Sequence, residues 1–510
     1  MKHLITVLLA ALALALGARA EGQPMAKAEA QIILERLVPQ PKRVALTDGP
    51  AVRIDGRLAV AVTLKQPAAA VEKKLARLFK ETFGATPALT FAADPALAIP
   101  KDGYRVQADA AGGLRLAASD EGGLLNALRT LRQAAEPERG VAKLSAYVLP
   151  EMAVEDAPAL AFRGLHICWF PENDEAFIER CIRMAAYYKF NVVVLEPWGV
   201  FNYRSHPEFA WADKRVDPKV FRRLAQLARE QGVTLVPQLN LLGHASGSRH
   251  ISGKHAVLDY HPELQPLFEP DGWTWCLSNP ETRKLLTDLT RELDDAFERP
   301  PYFHIGCDEA YSMATCATCR KADYAALLKD HLTYFHDLFK ARGARVMMWH
   351  DMLVAAGDPR WKGYYANGRA WAEPLLEALP RDIVVCDWYY EAPKREETWA
   401  TTRYFKGKGF PVLTCPWKNV EGIRRLSLLA QKESLDGVLV TTWHYLYGQD
   451  MVRMLGVGAN AAWGAEGAPG ASLSAFNQHL RQVGWDMGVK RYRDTGSVQW
   501  QVTPETVGGF

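Results

Sequence analysis

From residue 162 to residue 465 one pattern repeats along the chain: a short, almost unbroken apolar run, then a longer stretch in which apolar residues return every three or four positions. The apolar runs are FRGLHICW (162–169), NVVVLEPW (191–198), TLVPQLNL (234–241), YFHIGCDE (302–309), RVMMWHDM (345–352), IVVCDWYY (383–390), PVLTCPWK (411–418) and GVLVTTWH (437–444). A strand that is apolar on both sides has both faces covered, and the periodic stretches between the runs supply helices to cover them. Eight such units in about 300 residues predict an α/β fold, a (β/α)8 TIM barrel over residues 156–465. An open doubly wound sheet is the competing topology, but no glycine-rich phosphate fingerprint follows any of the runs.

Ahead of the barrel, residues 21–155 predict a small α+β domain. Strand-like RVALTD and LAVAVTL precede a helical AAAVEKKLARLFKETFG, with Gly84 placed to cap its C-terminus. YRVQADAAGGLRLAAS alternates on both sides of a Gly-Gly and predicts a hairpin; DEGGLLNALRTLRQ then predicts a helix with Asp120 as N-cap. After residue 465, GAEGAPGASL reads as a linker to one helical segment, LSAFNQHLRQVGWDM, and a loose tail, which together make up residues 466–510.

Composition adds limits rather than identity. With 48% apolar and 23% charged residues and a formal net charge of +3, the chain has no case as a nucleic-acid or polyanion binder. Residues 1–20 combine Lys2, an apolar run from Leu4 to Leu16 and a small-x-small ARA ending at Ala20, which predicts an export signal and a periplasmic or secreted mature chain starting near Glu21. No stretch reaches transmembrane length, and no cysteine follows the expected cleavage point to carry a lipid, so no membrane partner is expected. Cys168, Cys276, Cys307, Cys386 and Cys415 read as small buried hydrophobes; Cys316 and Cys319 form a C-x-x-C that could be a disulfide, a structural metal site or plain thiols.

In a barrel the chemistry sits at the C-terminal strand ends, where the βα loops open. Six of the eight ends carry a tryptophan: Trp169, Trp198, Trp349, Trp388, Trp417 and Trp443. Interleaved with carboxylates, they read as a carbohydrate pocket, because sugar rings stack C–H faces on aromatics and need charged partners for their hydroxyls. Asp308 and Glu309 are the candidate acids. Successive side chains on a strand point to opposite sides, so both can face one point only if the strand is already turning there. The plainer alternative is a loop cap, or a pairing with Arg320 or Lys321.

These residues carry a resemblance. HIGCDEA resembles the H-x-G-G-D-E motif of glycoside hydrolase family 20, the β-N-acetylhexosaminidases; DAPALAFRG, YYKFNVV, VPQLNLLGH and VLVTTW are similar to its first, second, third and eighth strand regions, and YRVQADAAGGLRLAASDEGGLLNALRTLRQ to the domain before its barrel. The resemblance implies release of terminal β-linked N-acetylhexosamine from a glycan, without metal or other cofactor, by a retaining mechanism in which the substrate's 2-acetamido group is the nucleophile. It implies Glu309 as general acid and base, Asp308 as the group that orients and stabilises the acetamido, and Arg163 as a clamp on sugar hydroxyls. Trp349, Trp388 and Trp443 match tryptophans that box the acetamido and stack on the ring, and His244 matches a Gly-His after strand three. For the acetamido-contacting tyrosine, strand six offers Tyr389 and Tyr390 and strand seven Trp417; Asp387, Tyr389 and Trp417 join the candidate substrate contacts. The chain departs from the family's pattern after strand two (VVLEPWGVFNY), at the end of strand one (HICWFPEN) and at Cys307, which replaces a glycine. Two other readings fit the same residues. One is a two-carboxylate glycosidase whose nucleophile near strand seven would be Glu421, and the other a non-catalytic exported sugar-binding protein. A metal-dependent hydrolase would need clustered ligands, and the spacing of His304, His350 and His444 forms no such motif.

Overall fold

A computed structural model of the chain describes residues 21–47, 49–139, 144, 146–246, 257–391, 399–443, 448–465 and 472–488. The expected export signal, most of the linker-like stretch after residue 465 and the tail beyond residue 488 lie outside the described residues. All eight apolar runs form strands: β1 (Phe162–Trp169), β2 (Val192–Pro197), β3 (Thr234–Pro237), β4 (Tyr302–His304), β5 (Arg345–Trp349), β6 (Val384–Trp388), β7 (Val412–Cys415) and β8 (Gly437–Thr441). They make one parallel sheet in the order β3-β2-β1-β8-β7-β6-β5-β4, and a bridge between Gln238 and His304 joins its two ends. The result is a TIM barrel.

Alternation along the strands sorts their side chains. Val384, Cys386 and Trp388 of β6, Met347 and Trp349 of β5, and Leu413 and Cys415 of β7 share one inner cluster, while Val385, Val346 and Val412 belong to the outer core beneath the helices. The inner column rises through Trp349 and Trp388 into the half-buried Tyr365, Tyr390 and Trp443, so the barrel's filling becomes the floor of its mouth.

The preceding domain is built on a six-stranded mixed sheet, 43–46, 152–156, 104–109, 113–118, 59–64 and 88–93 in spatial order, with a second, four-stranded antiparallel sheet beside it. Asp120 accepts the N–H of Gly123 at 2.8 Å and caps helix Glu121–Ala134, and Gly84 (φ 68°) ends helix Ala69–Phe83. The helix Leu473–Asp486 returns to this domain rather than hanging free: His479 Nδ1 lies 3.1 Å from the Arg36 carbonyl, Gln482 donates to the Ala135 carbonyl at 2.9 Å, and Asp486 pairs with Arg132 at 2.8 Å. No helix among the described residues is long and apolar enough to cross a membrane.

Arg163 corrects an expectation. It is the second residue of β1, at the end of the barrel opposite the mouth, and only 2% exposed. Its guanidinium pairs with Asp102 of the preceding domain at 2.9 Å and donates to the Lys189 and Leu160 carbonyls at 3.0 and 2.8 Å, beneath the ring of Trp463. It joins two domains and does not clamp sugar hydroxyls. A strand's first residues cannot reach a site built on the last ones.

Candidate active site

The strand expected over 302–309 stops early, and the reason is the backbone that follows. Gly306, Cys307 and Glu309 have φ of 62°, 70° and 48°, so the chain leaves the sheet in a left-handed turn. At Gly306 a Cβ would stand 1.7 Å from the Asn240 side-chain oxygen, and at Gly243 one would stand 1.9 Å from the Asp308 carbonyl; both positions exclude any larger residue. This turn lifts the alternation rule that would have parted Asp308 from Glu309. His244 Nε2 lies 3.3 Å from an Asp308 carboxylate oxygen and 3.1 Å from one of Glu309, and the three ligating atoms fall within 4.8 Å of one another. Asp308 Oδ1 is buried and has no hydrogen-bond partner among the described residues.

The neighbouring loops hold this turn. Trp273, in the loop after β3, donates its indole N–H to the Glu309 carbonyl at 2.7 Å and packs its ring 4.4 Å from that of His244. Asp351, just past β5, accepts the Glu309 backbone N–H at 2.9 Å and the Asn367 amide at 2.8 Å on one oxygen, and the Trp388 indole at 3.2 Å on the other. Complete burial, and then the charge of Asp308, push the Asp351 carboxyl up to about 7. Beside the pair stands an aromatic wall. Tyr365 stacks on Trp388 at 4.0 Å, Trp388 on Tyr390 at 5.0 Å, and Trp417 meets Tyr390 edge-on at 5.0 Å; Trp349 and Trp443, 5.4 Å apart, belong to the same cluster. Burial and then the charges of Asp308 and Glu309 hold the Tyr390 hydroxyl well above its usual range, so it stays a neutral donor facing the two acids.

Comparison with known proteins decides the lineage. The model of the glycosyl hydrolase family 20 catalytic domain matches residues 216–443, and that of the family's domain 2 matches residues 35–157. The chain belongs to glycosyl hydrolase family 20. A beta-hexosaminidase of Porphyromonas gingivalis is 23% identical over 54% of this chain and 40% of its own length, and hexosaminidase D of Bos taurus is 24% identical over 38% of this chain and 55% of its own. The chain thus spans about half the length of these curated relatives. Among solved structures, the exo-beta-N-acetylglucosaminidase of Vibrio harveyi in complex with N-acetylglucosamine superposes with a TM-score of 0.66 at 15% identity, covering 89% of this chain and 77% of that one. The beta-N-acetylhexosaminidase of Streptomyces coelicolor gives 0.65 at 17%, covering 94% and 100%. These two likenesses establish the shared fold.

Within this family-20 barrel, the expected site residues separate into two groups. Asp308, Glu309, His244, Trp349, Trp388, Trp417 and Trp443 gather at the mouth. Asp387 and Tyr389 do not. They alternate with the inward Cys386 and Trp388, so they face the helices: Asp387 accepts both Thr401 and Thr402 hydroxyls and lies 3.4 Å from His350, and Tyr389 packs with Trp399, Leu426 and Leu429. Trp169 likewise turns outward onto Phe221. The period of two that parts Asp387 from Trp388 also points Tyr390 inward, and it could have selected Tyr390 over Tyr389 from the sequence. Asp351 was within reach of the same reading, since it stands near the end of the fifth run, two residues after the inward Trp349; Trp273 and Tyr365 carry no such signal, because each reaches the site from an irregular loop. The strand-two departure is structural: Glu196 is buried, accepts the Asn240 amide at 2.7 Å and lies 3.4 Å from His166.

Among the described residues, three groups of side chains have the donor atoms to hold a metal ion: the His244, Asp308 and Glu309 set, the His166, Cys168 and Glu196 set inside the barrel, and Glu269 with Cys276, Cys316 and Cys319. The first two mix nitrogen and oxygen donors with at most one sulfur; the third is dominated by sulfur.

Proposed function

We propose that this protein is an exported, exo-acting β-N-acetylhexosaminidase that cleaves terminal β-linked N-acetylhexosamine from glycans by a retaining, substrate-assisted route. The observation that carries the reading is the placement of Asp308 and Glu309 on one turn, both against His244 Nε2. Two acids that share one imidazole approach a sugar from the same side. A two-carboxylate retaining enzyme needs its acid and its nucleophile on opposite faces of the anomeric carbon, so this pair cannot divide those roles. Glu421, the other candidate nucleophile, sits in the first turn of helix Val420–Lys432 and is paired with Arg424 and Arg425.

The nucleophile then comes from the substrate. Glu309 protonates the leaving oxygen while the carbonyl oxygen of the 2-acetamido group closes on the anomeric carbon. Asp308, with Oδ1 free to accept the acetamido N–H, orients that group and stabilises the positive charge of the oxazolinium as it forms. Tyr390 faces the same point with a neutral hydroxyl able to donate to the acetamido oxygen, and the tryptophans exclude water around it. Glu309, now a carboxylate, takes a proton from the water that opens the oxazoline.

The test is hydrolysis of an aryl N-acetyl-β-glucosaminide and of its galacto epimer, with and without a thiazoline mimic of the oxazoline. Turnover blocked by the thiazoline at concentrations well below the substrate KM is the expected result. An enzyme that turns over but ignores the thiazoline overturns the substrate-assisted step, and no turnover of any β-N-acetylhexosaminide overturns the assignment.

A further inference from the structure

The loop that carries Glu309 meets the loop after β3 at a cluster of sulfur atoms that the reaction above does not use. Phe268 and Trp275 bridge antiparallel to form a short hairpin, with Glu269 just inside it and Cys276 just after it. Cys316 and Cys319 come from the loop after β4. Cys276 Sγ lies 3.8 Å from Cys316 Sγ and 3.6 Å from Cys319 Sγ, and one carboxylate oxygen of Glu269 and the three sulfurs all lie within 4.8 Å of one another.

We propose that Cys276, Cys316, Cys319 and Glu269 form a structural site for a thiophilic divalent cation of the zinc class. Metal–sulfur bonds of about 2.3 Å in a tetrahedron set sulfurs about 3.8 Å apart, which is the spacing here, whereas a disulfide needs about 2.0 Å. Two hydrogen bonds already point at the sulfurs: the Cys319 N–H donates to Cys316 Sγ at 3.1 Å, and the Ser278 hydroxyl to Cys319 Sγ at 3.0 Å. Donors aimed at sulfur suit thiolates, and the first of them is the turn that a C-x-x-C makes when both cysteines bind one ion. Three sulfurs with one carboxylate favour zinc over calcium or magnesium, which take oxygen donors. Glu269 is fully buried and accepts the N–H groups of Ala314, Thr315 and Cys316, so the same carboxylate that completes the ion's shell fastens the loop after β4. The ion would staple the hairpin bearing Trp273, which holds the Glu309 carbonyl, to the loop seven residues beyond Glu309. Each cysteine gives up its proton on binding, so three protons leave for each divalent ion bound.

The experiment is metal analysis and titration of the purified full chain. Protein made with zinc(II) supplied and freed of loose metal is expected to hold one zinc per chain. Removing it with a strong chelator should expose three further thiols to titration, and cobalt(II) refilled into the apoprotein should show sulfur-to-metal charge-transfer absorption. Cys319→Ser and Cys276→Ser are expected to weaken zinc binding by roughly 100-fold or more, since each removes a direct ligand, while Cys181→Ser, a buried cysteine on a different element, binds as the wild type. Should the ligand variants fail to fold, the wild-type cobalt spectrum decides. Less than a tenth of an equivalent of zinc bound by reduced protein overturns the proposal, as does an intact mass two hydrogens short from a disulfide within the cluster.

Discussion

The backbone N–H of Glu309 donates to the buried carboxylate of Asp351 over 2.9 Å, so the acid at the end of β4 takes its position from the end of β5. The other oxygen of Asp351 receives the Trp388 indole, which ties the acid's turn to the aromatic wall. Asp351→Asn places an amide N–H against one of these donors. Leaving a buried donor without its acceptor costs about 1–3 kcal/mol, so kcat is expected to fall about five- to a hundredfold. Steady-state kinetics check this, and a variant with unchanged kcat would show that the link is not needed.

Asp351 also predicts a pH dependence of stability. Its carboxyl is raised to about 7 in the folded protein, against about 4 in an unfolded chain. Between those values the folded state keeps a proton that the unfolded chain has lost. This group's stabilisation is therefore complete below pH 4 and is lost as pH rises through 7. Urea midpoints measured from pH 4 to 8 should fall more steeply with pH for the wild type than for Asp351→Asn.

Glu309→Gln and Asp308→Asn should fail differently. Removing the general acid costs about 10²–10⁴ in rate when the leaving group needs a proton. Glu309→Gln should therefore lose far more with a disaccharide than with an activated aryl glycoside. Asp308→Asn removes charge stabilisation, which is needed whatever leaves, so a drop of about 10²–10³ in kcat is expected on both substrates at nearly unchanged Tm. A leaving-group dependence in the Asp308 variant like that of the Glu309 variant would count against the division of roles.

Arg163→Ala should act on the fold and spare the site. The substitution leaves Asp102 without its partner in a largely buried setting, a change that costs about 3–5 kcal/mol. Tm should drop, while KM of the protein that remains folded stays within about twofold of wild type. A large rise in KM at unchanged Tm would return Arg163 to the substrate site.

Cys307 occupies a left-handed position (φ 70°) with its thiol fully buried. A residue other than glycine gives up about 1–2 kcal/mol there, and removing a small buried side chain costs a similar amount, so Cys307→Gly is expected to be close to neutral. Cys307→Val adds a β-branch to the same backbone and should lower the urea midpoint clearly. Equal stability of the two variants would rule out the backbone as the reason a glycine-like residue is wanted.

Periodicity alone determined the barrel. Unbroken apolar runs alternating with helical stretches admit few other arrangements, and the runs fell within a few residues of the strands. It also placed Asp308, Glu309 and the tryptophans at strand ends, because a parallel barrel puts every strand's last residues at one mouth. Applied residue by residue, it also decides against three of the expected site residues. Arg163 belongs at the far end by its position as the second residue of β1, against what the resemblance implies. Asp387 and Tyr389 belong to the end of β6, but alternation turns them toward the helices while Trp388 and Tyr390 point inward. The remaining features are tertiary in a stricter sense. The convergence of Asp308 and Glu309 on His244 depends on a left-handed turn, which Gly306 permits, and on Gly243 letting a neighbouring loop come close. The hold of Asp351 and Trp273 on Glu309, and the meeting of Cys276 with Cys316 and Cys319, join loops far apart in the chain. No local pattern encodes such contacts, since they exist only once the closed sheet has brought those loops to the same rim.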